Sequence, residues 1–335
     1  MRRALAALAL VTLLSLDAAG GGGPRITAVG AIGVTVTSAE RLADFYTRVL
    51  GFEQVSDTEV SGGDYERLQG VPGLRLRVIR VRLGDEALDL MEYVTPRGRP
   101  IPLDSRSNDR SFQHVAIIVS DIDQAYARLR DHHVTPVSPA PQRLPDWNPA
   151  AGGIRAFYFK DPDGHPLEIL AFPADKGDPR WRRRDGRLFL GIDHTAIVVE
   201  ETERSLACYR DMLGLAVAGT SENWGPEQER LNNVLGARLR ITTLRATAGP
   251  GIELLEYLTP RDGRPISAEA RANDVAHWQT RLITEDATAV TRSLRGDGCA
   301  MVSPAVVALP RRELGFARGA LARDPDGHVL QLTER

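Results

Sequence analysis

The sequence predicts an α+β protein assembled from four copies of one βαβββ module. Three features predict it: a long internal repeat, short alternating strands that each lead into a helix, and the same Asp-Pro-Asp-Gly turn near the end of each half. Tyr65–Arg77 matches Gln228–Arg240 without a gap, Glu92–Arg97 matches Glu256–Arg261, and Asp161–His165 matches Asp324–His328, so the offset stays between 163 and 165. A constant offset over so much sequence means a tandem duplication, which constrains architecture before any single residue is interpreted. With 335 residues, 42% hydrophobic and 26% charged, the chain has enough apolar mass for two domains and is neither disordered nor fibrous.

The first element is a leader. Arg2 and Arg3 precede an apolar run from Ala4 to Leu16, and small residues from Ala18 to Gly23 follow. Residues 1–20 are therefore expected to be a signal peptide, making the protein exported, either periplasmic or secreted. The apolar run is shorter than the roughly 20 residues a spanning helix needs, so no membrane association is expected after cleavage. Residues 25–175 then form the first half, 176–188 a linker and 189–335 the second half.

Within the first half, the second module reads as a strand from His114 to Val119, a helix from Ile122 to Arg130, and strands Ala156–Phe159 and Pro166–Phe172. The third module repeats the plan: strand Ile192–Val199, helix Glu203–Leu213 closed by Gly214, then strands Arg238–Leu244 and Ile252–Tyr257. In the Asp-Pro-Asp-Gly turns proline presets φ and glycine takes the positive φ that a hairpin requires. Between the halves, Pro173–Leu188 is rich in Asp, Gly, Pro and Arg, and its basic cluster Arg182, Arg183, Arg184 is read as solvated linker.

Charge and cysteine content narrow the function. Forty-two basic and 44 acidic residues give a net charge of −2 with no long run of one sign, which argues against nucleic acid as a partner. Two cysteines are too few for a disulfide framework or a zinc–thiolate site. Cys208 falls at the repeat position of Phe45, so a buried apolar role is expected for it.

His194 in a first strand, Leu206-Ala-Cys-Tyr-Arg-Asp-Met-Leu-Gly-Leu215 as the helix, Ile252-Glu-Leu-Leu255 as a closing strand, and Asp161-Pro-Asp-Gly-His-Pro-Leu-Glu168 together resemble the vicinal oxygen chelate superfamily. That group includes glyoxalase I, methylmalonyl-CoA epimerase, extradiol dioxygenases and the bleomycin or fosfomycin resistance proteins. The resemblance covers nearly all of the chain after the leader and implies two glyoxalase-like cupped sheets. In each cup two modules would each give one metal ligand from the first strand and one from the last. The corresponding positions are Ala31 and Asp89, His114 and Glu168, His194 and Glu253, and Gln279 and Gln331.

Only the middle two modules carry complete half-sets. Pairing modules within each half would leave both cups impaired. Pairing the second with the third, and the first with the fourth, accounts for all eight positions. The resemblance then implies one metal site made of His114, Glu168, His194 and Glu253. Imidazoles with carboxylates suit one divalent ion, Zn, Ni, Co, Fe or Mn, with water in open positions.

The implied chemistry is that of a glyoxalase-like lyase or an isomerase or epimerase. Two neighbouring oxygens of a small substrate would reach the metal, an enediolate would form, and Glu168 or Glu253 would move the proton. An extradiol-type dioxygenase and a metal-free small-molecule binding or resistance protein are the alternatives. Trp147 and Asn148 in a Pro-rich loop, with Trp224 and Arg230 in the third module, are candidate substrate contacts. His165 and His328 follow the same turn in both halves and are expected to stabilise it, whereas His132 and His133 are expected to be solvated. His277 lies two residues before Gln279 and is an alternative ligand. A small-molecule substrate and a monomer or homodimer complete the expected partners.

Overall fold

The computed structural model describes residues 25–182, 186–294 and 298–334. The expected signal peptide, residues 1–20, lies outside the described residues, as do Arg183 and Arg184 of the basic cluster. The first module contains β1 (Ile26–Thr35), α1 (Ala39–Arg48), β2 (Glu53–Ser61), α2 (Gly63–Gln69), β3 (Arg75–Leu83) and β4 (Glu86–Thr95). The second contains β5 (Phe112–Val119), α3 (Ile122–Asp131), the short β6 (Thr135–Pro136) and β7 (Gln142–Arg143), β8 (Arg155–Lys160) and β9 (Pro166–Ala171). The third has β10 (Phe189–Val199), α4 (Thr202–Leu206) widening into a π-turn over Ala207–Met212, β11 (Ala216–Trp224), α5 (Pro226–Asn232), β12 (Arg238–Arg245) and β13 (Gly251–Thr259). The fourth has β14 (Trp278–Thr284), α6 (Ala287–Ser293), the short β15 (Ala300–Met301) and β16 (Val307–Ala308), β17 (Arg318–Arg323) and β18 (Val329–Glu334). No helix among the described residues is long and apolar enough to cross a membrane.

Local chemistry explains the starts and turns. Ser38 and Asp121 cap α1 and α3 by accepting backbone N–H bonds, satisfying donors that have no partner inside the helix. Gly164 and Gly327 take φ of 95° and 98°, and Asp161 and Asp324 each accept two backbone N–H bonds within their turns. His165 joins that turn to the rest of the molecule: it contacts Asp161 at 2.8 Å and the carbonyls of Thr35 and Val275 at 3.0 and 2.8 Å. His132 and His133 are exposed at the end of α3.

The two sheets are built across the halves. One runs β15-β17-β18-β14-β1-β4-β3-β2 and joins the fourth module to the first; the other runs β11-β12-β13-β10-β5-β9-β8-β6 and joins the third to the second. In both, the central pair is antiparallel, β1 with β14 and β10 with β5, and each central strand is flanked by a parallel neighbour from its own module. The main apolar core lies between the sheets and includes Leu42 and Tyr46 of α1, Val115 and Ile117 of β5, and Tyr209. The opposite faces carry separate clusters, with Leu76, Tyr93 and Phe316 in one sheet and Ala196, Val198, Leu255 and Tyr257 in the other.

Two sequence expectations are corrected. Cys208 is buried in the core, as expected, but it is not there as an unbonded side chain: it is disulfide-bonded to Cys299, 91 residues away, and so joins the third module to the fourth. Their distance in sequence hid a pairing that the contact between modules creates. Simple alternation would also put Ile192 on the face of His194, but β10 carries a register irregularity between them, and Ile192 packs in the core between the sheets. A bulge of this kind re-aims the side chains that follow it.

Candidate metal centre

His114 and His194 stand on the two central strands of one sheet, and the ladder registers bring the carboxylates to them. His194 lies opposite Ala116, which pairs with Glu168 on β9; on the other side, His114 lies opposite Ala196, which pairs with Glu253 on β13. Ala116 and Ala196 are fully buried, and their small side chains leave the middle of the cup to the longer residues. The result is convergence. Nε2 of His114 lies 3.4 Å from Nε2 of His194 and 3.1 Å from Glu168 Oε2, while His194 Nε2 lies 3.7 Å from Glu168 Oε2 and 3.4 Å from Glu253 Oε2.

The surrounding groups point these atoms inward. His114 Nδ1 faces Gln113 Oε1 at 3.0 Å, and His194 Nδ1 faces Asp193 Oδ2 at 2.9 Å, which leaves Nε2 of each ring directed to the centre. Thr243 donates to Glu253 Oε1 at 2.9 Å, and Tyr158 tilts against the His114 ring with centroids 4.8 Å apart. Burial pulls His194 toward the neutral form, but Glu253, Asp193 and Glu168 outweigh it and raise its pKa to about 9. Asp193 is also buried, yet its bond to His194 and the nearby Arg245 hold its carboxyl well below the usual range.

The donor set fits a divalent cation. Glu168 Oε2 is buried and has no hydrogen-bond donor, an unfavourable state for a carboxylate oxygen unless a positive charge faces it. His114, Glu168 and His194 present ligand atoms all within 4.8 Å of one another, and Glu253 adds a second carboxylate from the other module. Nitrogen and oxygen donors of this kind suit Zn, Ni, Co, Fe or Mn.

The equivalent cup of the other sheet has the opposite electrostatics. Ala31, Asp89, Gln279 and Gln331 stand at the corresponding positions, and Arg281 stands where the first cup has Ala116. The Arg281 guanidinium donates to Asp89 Oδ2 at 2.8 Å and to Gln331 Oε1 at 2.9 Å, the counterparts of Glu253 and Glu168. Arg80 adds a two-pronged bond to Asp89 at 2.6 and 2.9 Å. Two guanidiniums against one carboxylate leave this cup positive, and Phe316 lies against Arg281 at 4.9 Å, so a tethered cation occupies it. His277 contacts Gln279 at 3.2 Å and belongs to this side, away from the four-residue cluster.

Of the candidate substrate contacts, Trp147, Asn148 and the end of β11 with Trp224 come together. Trp147 and Trp224 are each about half exposed and lie against one another, ring centroids 4.4 Å apart. Asn148 is buried: it donates to Asn223 Oδ1 at 2.7 Å and accepts from the N–H groups of Ala150 and Ala151 at 3.1 Å. Arg230 is exposed on α5. Side chains that touch the cluster without having been singled out from sequence are Gln113, Tyr158, Asp193 and Thr243. Adjacency to a ligand in sequence signals Gln113 and Asp193; Tyr158 and Thr243 carry no sequence signal. A cavity of about 570 Å³ is lined chiefly by residues of segments 99–113 and 264–278; Gln113 and Tyr158 stand in its wall, whereas His114, Glu168, His194 and Glu253 do not.

The model of the glyoxalase/bleomycin resistance protein/dioxygenase superfamily matches residues 28–169 and 191–332. The chain belongs to this superfamily. A 2-epi-5-epi-valiolone epimerase from Actinomyces sp is 32% identical over 175 residues, covering 51% of this chain and 92% of that protein. A glyoxalase I mutant from Zea mays shares the fold with a TM-score of 0.60 at 17% identity, covering 93% of this chain and 94% of its own. Glyoxalase I from the same plant gives 0.58 at 15% identity, covering 93% and 92%. The superfamily fold thus extends over both halves of the chain.

Proposed function

We propose that this chain is an exported, metal-dependent epimerase acting on a small polyhydroxylated carbonyl compound. The convergence of His114, Glu168 and His194, with Glu253 reaching His194 at 3.4 Å, carries the reading. These four residues would hold the ion, which when bound supplies Lewis-acid stabilisation for negative charge developing on a substrate oxygen. Epimerisation at a carbon next to a carbonyl requires a proton to leave one face and another to arrive at the opposite face. Glu168 and Glu253 come from different modules and reach the imidazole pair from β9 and β13, so one can accept a proton while the other delivers one. Thr243 fixes Oε1 of Glu253 and leaves Oε2 facing His194. The similarity to an epimerase favours this outcome over a lyase. Export is supported by the leader pattern and by the Cys208–Cys299 disulfide, a bond favoured in oxidising compartments.

Metal analysis of the purified protein tests the site. About one transition metal per chain is expected, lost in the His114→Ala, His194→Ala double variant; full occupancy surviving that change refutes the assignment. Deuterium uptake from D2O into small polyhydroxy ketones, abolished in Glu168→Gln or Glu253→Gln, tests the proton transfer. The close grouping of His114, Glu168 and His194 favours a second reading, extradiol-type ring cleavage on iron. Oxygen uptake with catechols is its measurement.

A further inference from the structure

The stretch between the two halves reads from sequence as a passive connector, and residues 170–190 fall between the two segments that match the superfamily. In the structure Pro179–Arg182 forms a short 3-10 turn that packs directly behind a proposed metal ligand. Trp181 Nε1 donates to Asp193 Oδ1 at 3.1 Å, while Asp193 Oδ2 holds His194 Nδ1 at 2.9 Å. We propose that Trp181 is a positioning residue for His194, acting through Asp193; the proposal rests on the reading that His194 ligates a metal.

Three observations carry it. First, Asp193 is buried and its oxygens have defined roles: Arg245 approaches both at 3.1–3.2 Å, and Trp181 adds a neutral, directional donor on Oδ1 while Oδ2 faces His194. Removing that donor leaves the carboxylate free to swing toward Arg245, and the imidazole swings with it. Second, the indole is itself held. Arg180 lies over the ring at 3.9 Å and donates to Glu86 Oε1 at 2.7 Å, and Glu86 Oε2 accepts from the N–H of Ile192 at 3.1 Å. Third, Gly191 leaves room for the assembly, since a Cβ there would meet Glu86 Oε2 at 2.7 Å and the Trp181 ring at 2.8 and 2.9 Å. Glu86 begins β4 of the other sheet, so the connector ties the first module to the ligand strand β10. A ligand whose outer partner is lost typically binds metal roughly 10- to 100-fold more weakly.

Trp181→Phe keeps an aromatic ring under Arg180 but removes the N–H, together with the benzo edge that lies against Gly191. Titration of the metal-free full-length chain with Co2+ alone is expected to show affinity weakened about tenfold, within the range for outer partners. The visible Co2+ absorption should move, while the melting temperature of the metal-free protein stays unchanged. Asp193→Asn should weaken binding further, and adding Trp181→Phe to it should cost nothing more, because both act through one path. Unchanged Co2+ affinity and spectrum in Trp181→Phe overturn the proposal, as does full additivity in the double variant. If Co2+ binding instead survives His114→Ala with His194→Ala, the metal reading fails and this inference fails with it. Loss of binding in that pair with no effect of Trp181→Phe overturns the inference alone.

Discussion

Arg281→Ala is the sharpest test of the idea that the second cup is held by a tethered cation. The substitution removes a guanidinium that is about 10% exposed and that donates to both Asp89 and Gln331. Burial draws Arg281 down from its ordinary value, with Asp89 opposing it; for Asp89 the burial penalty is outweighed by Arg281 and Arg80, which hold the carboxyl below its usual range. Breaking a buried ion pair by removing one partner costs about 3–5 kcal/mol. Arg80 keeps its two-pronged bond to Asp89, so the loss should fall below that range, at about 2–3 kcal/mol, including the cavity left beside Phe316. Urea unfolding of the wild type, Arg281→Ala, Asp89→Asn and the double variant gives the coupling directly, and at least about 1 kcal/mol is expected between the two residues. Metal content should stay at about one ion per chain throughout. A loss below about 0.5 kcal/mol, or strict additivity, refutes the reasoning.

Other expectations concern the rest of the fold and the connector. His165 is fully buried with both ring nitrogens facing acceptors; burial disfavours its charge, but Asp161 and the Val275 carbonyl prevail and raise its pKa above 6.5. A raised folded value means its contribution is complete below the unfolded value and is lost as pH rises through the folded one, so the wild-type melting temperature should fall relative to His165→Gln over that window. A parallel pH dependence in the two proteins would contradict this. Reduction of Cys208–Cys299 opens a cross-link spanning 91 residues, for which chain entropy gives about 4–5 kcal/mol. A fall in stability well under 2 kcal/mol with dithiothreitol or in Cys208→Ala would show that the modules are held without it. Gly191→Ala should weaken Co2+ binding along with Trp181→Phe, because the added methyl displaces the indole and Glu86; an unaffected titration would mean the connector can shift without disturbing His194.

Much of the site was legible in the sequence because it depends on the repeat and on period-two alternation. Glu253 with Leu255 and Tyr257 faces the cup, while Glu256 turns to the other side and accepts from Thr202 at the start of α4, as alternation requires. His165 could be assigned to its turn because the same residue, His328, follows the turn in the fourth module, where Gln279 and Gln331 replace the candidate ligands. Where an irregularity interrupts alternation, as between Ile192 and His194, the pattern alone places one residue on the wrong face. Outer partners such as Thr243 and Tyr158 arrive from neighbouring strands, and nothing local in sequence marks them.

By itself the sequence determined the module, its four copies and the residue types at each ligand position, because strand periodicity, turn chemistry and duplication are local properties. The tertiary structure decided which modules share a sheet, and with that the meeting of His114 with His194 across β5 and β10. It also decided the Cys208–Cys299 bond, the filling of one cup by Arg281 and the docking of Trp181 behind Asp193. Each of these depends on surfaces distant in sequence being brought within a few ångströms, which the burial of a shared core enforces and no local pattern encodes.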